Sequence, residues 1–184
     1  MPLVPQEVST ETATDVLVDF IREHCRKQKV EAFARAAGYR TWFFAPAKKL
    51  RLFEEVFFLH AALALASIEK ARTDRSTKLY LRTLFQYKVQ QKIGALLGED
   101  DPSFGARRAA RTKSYSSLLA SGGDEIGLAS IFLGQLHASP EKSLNLQASM
   151  KLLPLLLAAR NLIEQVAASM VVQPDDDAEP NSDF

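Results

Sequence analysis

The sequence predicts an all-α protein, a single-domain bundle of about six to eight helices around a central apolar helix at residues 46–72. Residues 56–66 read VFFLHAALALA, in which His60 is the only polar side chain. A helix that is apolar on all sides has to be surrounded by other helices. In addition, no segment shows the sustained alternation of apolar and polar residues that a half-buried strand requires.

The apolar run is too short to cross a membrane. A spanning helix needs about 20 mostly apolar residues, and here charged residues close both sides of the run. Glu54 and Glu55 precede it directly, and Glu69 follows within one helical turn. The run is therefore predicted to be the buried centre of the fold.

The length and composition of the chain indicate the number of domains and the cellular compartment. A chain of 184 residues fits one domain and buries about 70% of the surface of the unfolded chain, enough for a core without disulfides or metal. The single cysteine, Cys25, has no intramolecular partner, and the first residues lack the basic and apolar regions of a signal peptide. We therefore expect a reducing, cytoplasmic location.

The helical domain is predicted to span residues 11–172, between a disordered N-terminal segment (1–10) and an acidic disordered tail (173–184). The last eleven residues, PDDDAEPNSDF, hold five of the 22 acidic side chains and no base. The preceding residues therefore carry 23 basic and 17 acidic side chains, a net charge of +6. Two interpretations of the tail stay open: it provides solubility, or it competes with nucleic acid for a basic surface.

Two helices are predicted before the central one. From about Thr12 to Gln28, apolar residues recur every three or four positions, the spacing of one helix face. A short helix from Val30 to Ala37 ends at Gly38, because glycine best tolerates the left-handed conformation of a helix cap. Tyr39 and the aromatic residues 42–44 should pack under the start of the central helix.

After a turn near Asp74, a helix from Arg75 to about Leu97 should pair with the central helix as an antiparallel hairpin. Residues 99–105, EDDPSFG, are the clearest linker, since they combine three acids with a proline and a glycine. A basic helical segment (106–120) and a helix capped by Asp124 complete this part.

The last helix is predicted to begin at Ser139-Pro140-Glu141, which supplies a capping oxygen, a proline for the first turn and a carboxylate near the positive end of the helix dipole. It should continue to about Val172. Pro154 removes one backbone hydrogen bond and predicts a kink or a break near Leu153. We expect the uncovered side of this helix to supply a homodimer interface.

The sequence contains no catalytic signature that we recognise, and we predict no metal or cofactor. Two interpretations of His60 stay open. It is a ligand or acid–base group in a bundle cavity, or a packed neutral histidine with a backbone or hydroxyl partner. Glu54 and Glu55 precede it by six and five residues, which does not match the Glu-x-x-His spacing of di-iron bundles.

Four basic residues are candidates for contacts with nucleic acid: Arg107, Arg108, Arg111 and Lys113. On a helix Arg107 and Arg111 share one face and Arg108 flanks it, so phosphate contacts fit the geometry. The alternative is a solvated helix face, because four bases are a small electrostatic footprint for nucleic acid.

The function that the sequence favours is a non-catalytic, cytoplasmic protein that acts through protein–protein contacts, as an adaptor, a chaperone or a regulatory subunit. A bundle without a catalytic signature leaves its surfaces to carry function. Two alternatives stay open. One is a nucleic-acid-binding regulator that uses residues 107–113, and the other is a bundle that binds an apolar ligand or cofactor around His60.

Overall fold

The computed structural model of the protein describes residues 6–40, 45–93, 104–137 and 145–173, with the backbone alone at 92–93 and 104–108. These residues form seven helices and two short strands. The helices are α1 (Thr10–His24), α2 (Lys27–Ala36), α3 (Pro46–Lys70), α4 (Arg75–Ile93), α5 (Phe104–Ala120), α6 (Glu125–His137) and α7 (Leu146–Ser169). The strands are β1 (Gln6–Ser9) and β2 (Met170–Gln173). The predicted all-α bundle of six to eight helices is confirmed.

The centre of the bundle is α3, which contacts each of the other six described helices. Every residue from Glu54 to Ala64 is buried, so the helix is enclosed over about three turns. The neighbouring helices complete the core with large apolar side chains, among them Leu17, Phe85, Phe132 and Leu156. No helix in the described ranges has both the length and the apolar character needed to cross a membrane.

The main neighbour of α4 differs from the prediction. Asp74 caps the start of α4, where its Oδ1 accepts from the backbone N–H groups of Ser76 and Thr77 at 2.8 and 3.0 Å. The helix then packs chiefly against α1 and only partly against α3. One reason is Lys88, which is largely buried and lies 3.1 Å from Asp15 of α1. The expected hairpin of α3 and α4 is therefore a minor contact.

Short strands join the two ends of the described chain. β1 and β2 pair in parallel, with Gln6 opposite Met170 and Ser9 opposite Gln173. The structure differs here from the sequence prediction, which has a disordered segment over 1–10 and a helix up to Val172. Four-residue strands are too short to show a clear alternation, and their partners lie far apart along the chain.

Some predicted helix boundaries agree with the structure and others differ. The first helix ends at His24 and α2 begins at Lys27, whereas the prediction extends the first helix to Gln28. Phe104 and Gly105, predicted as linker, lie in α5. Gly38 follows α2 with a φ of +64°, as its capping role requires. Asp124 caps α6, accepting from the N–H of Gly127 at 2.9 Å. α7 continues through Pro154, so no break occurs there. Outside the described residues lie the aromatic residues 42–44, the linker residues 99–103, the predicted start at 139–141 and the tail residues 174–184.

Candidate functional site

Of the four predicted basic residues, two have described side chains, and these point in different directions. The Arg111 side chain turns toward α3 and is only 15% exposed. Lys113 is exposed and lines a groove next to α4. Arg107 and Arg108 lie earlier on α5, and their side chains are outside the described structure.

Arg111 belongs to a buried cluster between α3 and α5. Its Nη1 donates to Oε2 of Glu55 at 2.9 Å and lies 3.6 Å from Oε2 of Glu54. The hydroxyl of Tyr115, which is fully buried, donates to Oε1 of Glu55 at 2.7 Å. Both carboxylate oxygens of Glu55 therefore have a donor on α5, and the cluster fastens α5 to the central helix.

Burial dominates the acid–base behaviour of this cluster. It raises the pKa of Glu55 to about 7, although the hydrogen bond from Tyr115 and the charge of Arg111 both act in the opposite direction. Burial, followed by the adjacent Glu55 carboxylate, raises the pKa of Tyr115 well above its usual range. Glu55 therefore changes charge near neutral pH while Tyr115 stays protonated.

His60 is fully buried between α1 and α3. Its Nδ1–H donates to the carbonyl of Val56 at 2.6 Å, so Nε2 of the neutral ring carries a lone pair. That Nε2 has no hydrogen-bond partner among the described residues. The ring stacks on His24 at a centroid distance of 4.7 Å, with Phe20 and Phe33 at 5.8 and 5.5 Å. A packed neutral histidine with a backbone partner fits this geometry.

His24 repeats the arrangement on α1. Its Nδ1–H donates to the carbonyl of Phe20 at 2.9 Å. Burial lowers the pKa of His24, and it lowers the pKa of His60 to about 3, with proximity to His24 adding to the effect. The α1–α3 interface is therefore held by two neutral, stacked imidazoles.

An open groove lies over a different face of α3, between α4 and α5. Because α4 packs chiefly against α1 and α5 against α3, a gap remains above three residues of the central helix. These floor residues are Phe57, Ala61 and Leu65. The walls are Arg82, Phe85, Gln86 and Val89 on α4, and Ala109, Thr112, Lys113 and Ser116 on α5. These residues enclose a volume of about 350 Å³, which is the first of two adjoining sections. We call the two sections together the α4–α5 groove.

The groove continues along α3 beyond Leu65. A second section of about 500 Å³ shares Leu65, Arg82 and Ser116 with the first and ends near Glu69. From Phe57 to Glu69 the floor helix rises by about 18 Å, at 1.5 Å per residue. The groove is therefore about as long as a helix of three to four turns.

The rim of the groove is basic. Arg82 and Lys113 stand on opposite walls and are both exposed. Arg82 lies 3.7 Å from Glu69, but both side chains are more than half exposed, so this ion pair is weak. The arrangement places two cations above an apolar floor, which suits a partner that is apolar on one side and acidic at its edges.

Lys113 is the predicted site residue that reaches the groove. The wall formed by α4 and the partners of Glu55 were not predicted from the sequence. Arg82, Phe85 and Val89 are spaced as one helix face, but this spacing does not indicate that the face lines a groove. Arg111 and Tyr115 are four residues apart, which places both on the same side of α5.

Among the described residues, no group of three His, Cys, Asp or Glu side chains is placed to hold a metal ion. Comparison of the chain with protein-family models, with curated proteins and with solved structures found no match. Function has to be inferred from the groove and its charges.

Proposed function

We propose that the protein acts through protein contacts, as a non-catalytic adaptor or regulatory subunit, and that the α4–α5 groove binds an amphipathic helix of a partner protein. The observation that carries this proposal is the shape of the groove, which is open to solvent between two helical walls and about 18 Å long. Its floor is apolar from Phe57 to Ala66 and ends at the charged residues Glu69 and Lys70. A small ligand would be mostly enclosed in its pocket. An open groove leaves the outer face of its occupant in water, as an amphipathic helix requires.

The charge of the rim defines the chemistry of the partner. Arg82 and Lys113 flank the apolar floor from both walls, so an occupant with acidic residues beside its apolar stripe gains from both. Ion pairs between these cations and acidic residues of the partner, at an exposed rim, govern partner choice and association rate more than affinity. We therefore propose a helix with apolar residues at positions i, i+3, i+4 and i+7 and with acidic flanks.

Two synthetic helices test this proposal. Both carry leucines at the same helical spacing, and they differ only in whether glutamate or lysine flanks the leucine stripe. Fluorescence anisotropy with the full chain should give at least about tenfold tighter binding of the glutamate helix at low salt. Equal affinity of the two helices, or no binding of either, contradicts the proposal.

A charge-reversal variant places the interaction in the groove. Arg82→Glu with Lys113→Glu should abolish the preference for the glutamate helix and favour the lysine helix instead. The matched control is Arg35→Glu with Arg40→Glu, which changes the net charge equally at exposed residues outside the groove. If the control variant also reverses the preference, net charge and not the groove governs binding.

A second pair of variants tests the floor independently of charge. Ser116 lines both sections of the groove and is half-buried, whereas the adjacent Ser117 is exposed and lines neither. Ser116→Trp should fill the groove and weaken both helices, while Ser117→Trp should weaken neither. Circular dichroism of each variant shows whether the fold is kept.

Nucleic acid is the competing outcome of the same assay. Arg111 is engaged with Glu55 inside the protein, so the variant that tests this alternative is Arg107→Ala with Arg108→Ala. Duplex DNA or single-stranded RNA that binds more tightly than either helix, and whose binding this variant removes, would replace the proposal.

The proposal includes a homodimer through α7. The outward face of α7 exposes Met150, Pro154, Leu157 and Ala158, with Lys151 as the charged residue among them. An antiparallel pairing of two copies around Leu157 and Ala158 joins these apolar faces across a two-fold axis.

The oligomeric state tests this part of the proposal. Light scattering after gel filtration should give a dimer for the native chain and a monomer for Leu157→Asp. The control is Ile126→Asp, which adds the same charge at a comparably exposed apolar residue of α6. A native monomer contradicts the homodimer. We also retain the cytoplasmic location, which the buried free thiol of Cys25 supports.

A further inference from the structure

The described chain ends close to the helix that forms one wall of the α4–α5 groove. Thr10 at the start of α1 donates its hydroxyl to the carbonyl of Gln173 at 3.3 Å. Glu11, the next residue of α1, lies 3.4 Å from the ammonium of Lys88 on α4. Lys88 directly precedes Val89, which lines the groove. Gln173, the last described residue, therefore lies on the α1 side of α4.

The length of this segment is sufficient to reach the rim. Eleven extended residues span up to about 35 Å, and a helix with its side chains is about 10 Å across. The chain can pass around α4 from Gln173 and still extend along the groove.

The charges of the segment and the rim are complementary. Residues 174–184 contain five carboxylate side chains and no base, whereas the exposed charges on the two facing walls of the first section are Arg82 and Lys113. Three of the acids, Asp175 to Asp177, are consecutive. Apart from Phe184 the segment has no large apolar side chain, so it matches the rim and not the floor.

We propose that residues 174–184 occupy the basic rim of the α4–α5 groove and compete there with the acidic flanks of the partner helix. The competition rests on the proposed function of the groove, whereas occupation of the rim does not. Because the segment belongs to the same chain, its local concentration at the rim is of the order of millimolar. Weak charge contacts are then enough to reduce the apparent affinity for the partner.

A zero-length cross-link tests occupation of the rim without any partner. A carbodiimide joins a carboxylate to an amine only when the two are in contact, so the native full chain should form an amide between Lys113 and Glu179 or Asp183, the two acids far enough from Gln173 to reach α5. Peptide mass spectrometry identifies the product, and about 0.5 M salt should suppress it. The control amine is Lys151, which is exposed on α7. Cross-links to Lys151 but not to Lys113 overturn the proposal.

Neutralising the segment tests the competition. A full-length variant with Asp175, Asp176, Asp177, Glu179 and Asp183 replaced by the corresponding amides should bind the glutamate helix about fivefold more tightly at low salt. The same variant should bind the lysine helix no more tightly than the native chain does. An unchanged affinity for the glutamate helix overturns the competition. If neither helix binds the native chain or the variant, the proposed function fails, and the cross-link still decides whether the segment occupies the rim.

Discussion

Two ionisable residues of the central helix, Glu55 and His60, are fully buried within five residues of each other and are accommodated in different ways. Glu55 has a donor on each carboxylate oxygen and a guanidinium beside it. His60 has one backbone partner and a ring nitrogen that has no partner among the described residues. The difference follows from the charge that each group carries at neutral pH: a carboxylate must be compensated when buried, whereas an imidazole can give up its proton.

The two interfaces of α3 therefore depend on different physical terms. The α3–α5 contact depends on a few specific side chains, since each partner of Glu55 offsets part of the desolvation penalty. The α1–α3 contact depends on the packing of His24 and Phe20 around a neutral ring, with Phe33 of α2 beside it. Substitutions should consequently have large effects at the first interface and small effects at the second.

The largest effect is expected from Arg111→Ala. This substitution leaves Glu55 buried without its cation, and removing one partner of a buried pair lowers the free energy of unfolding by about 3 to 5 kcal/mol. The loss should be greatest near pH 8 and smaller at pH 5, where Glu55 takes up a proton. Urea unfolding followed by circular dichroism at the two pH values measures both effects.

The double variant Arg111→Ala with Glu55→Gln is the control for this effect. It removes the uncompensated carboxylate and should recover most of the stability at pH 8. If the double variant is as unstable as Arg111→Ala, the arginine acts through its packing on the ring of Phe58, which lies 5.6 Å from its guanidinium carbon.

The pH dependence of stability should separate the two groups. For Glu55, burial raises the folded-state pKa to about 7 from the usual 4.5, so the folded state binds the extra proton. The free energy of unfolding therefore increases by about 3 kcal/mol as pH falls through this window. For His60, burial lowers the folded-state pKa to about 3 from 6.5, so the unfolded state binds the extra proton. The contribution of His60 to the free energy of unfolding therefore decreases by about 3 kcal/mol as pH falls from 6.5 to 4.5.

The two contributions offset each other in the native chain, and single variants should reveal them. In His60→Leu, the pH-dependent contribution of Glu55 to the free energy of unfolding remains and is offset only by that of His24. This variant should therefore become more stable relative to the native chain as pH falls from 7 to 4.5. Glu55→Gln keeps the His60 contribution and should become less stable over the same range. Parallel profiles of the two variants would show that neither group titrates as its environment implies.

How much of this could be predicted from the sequence differs between the two interfaces. The apolar run around His60 predicts a buried α3, because burial follows from local composition, and it leaves a packed neutral histidine as one of two interpretations of His60. The partners of Glu55 lie on α5, 56 and 60 residues away. Nothing local indicates that Arg111 turns inward, so it was predicted with its neighbours as an exposed base.

The groove could not be predicted from the sequence, for a similar reason. A gap between α4 and α5 exists because α4 packs chiefly on α1 and only partly on α3, and one contact that favours this arrangement is that of Lys88 with Asp15. Each helix and its apolar face could be predicted from its own residues. Which two faces remain uncovered is decided by contacts between residues that are far apart along the chain.

A smaller loss is expected from Tyr115→Phe. The variant keeps the ring and removes the hydroxyl that donates to Oε1 of Glu55 at 2.7 Å, so one oxygen of a buried carboxylate loses its donor. A hydrogen bond to a charged group contributes about 2 kcal/mol, and the loss should decrease when Glu55 is protonated. In the background of Glu55→Gln the same change should have less effect, and equal effects in both backgrounds would contradict the coupling.

The smallest effect is expected from His60→Leu at pH 8. The native imidazole is already neutral there, its Nε2 has no described partner, and the carbonyl of Val56 keeps its backbone hydrogen bond within α3. The lost side-chain hydrogen bond and ring stacking are offset by removal of a buried unpaired nitrogen, so the change in unfolding free energy should be within about 1 kcal/mol. Glu55→Leu at the same pH leaves Arg111 without Glu55 and should lower the free energy of unfolding several times more than His60→Leu does. Similar losses for these two leucine variants would mean that His60 has a polar partner after all, and that the two interfaces of α3 do not differ as the contacts indicate.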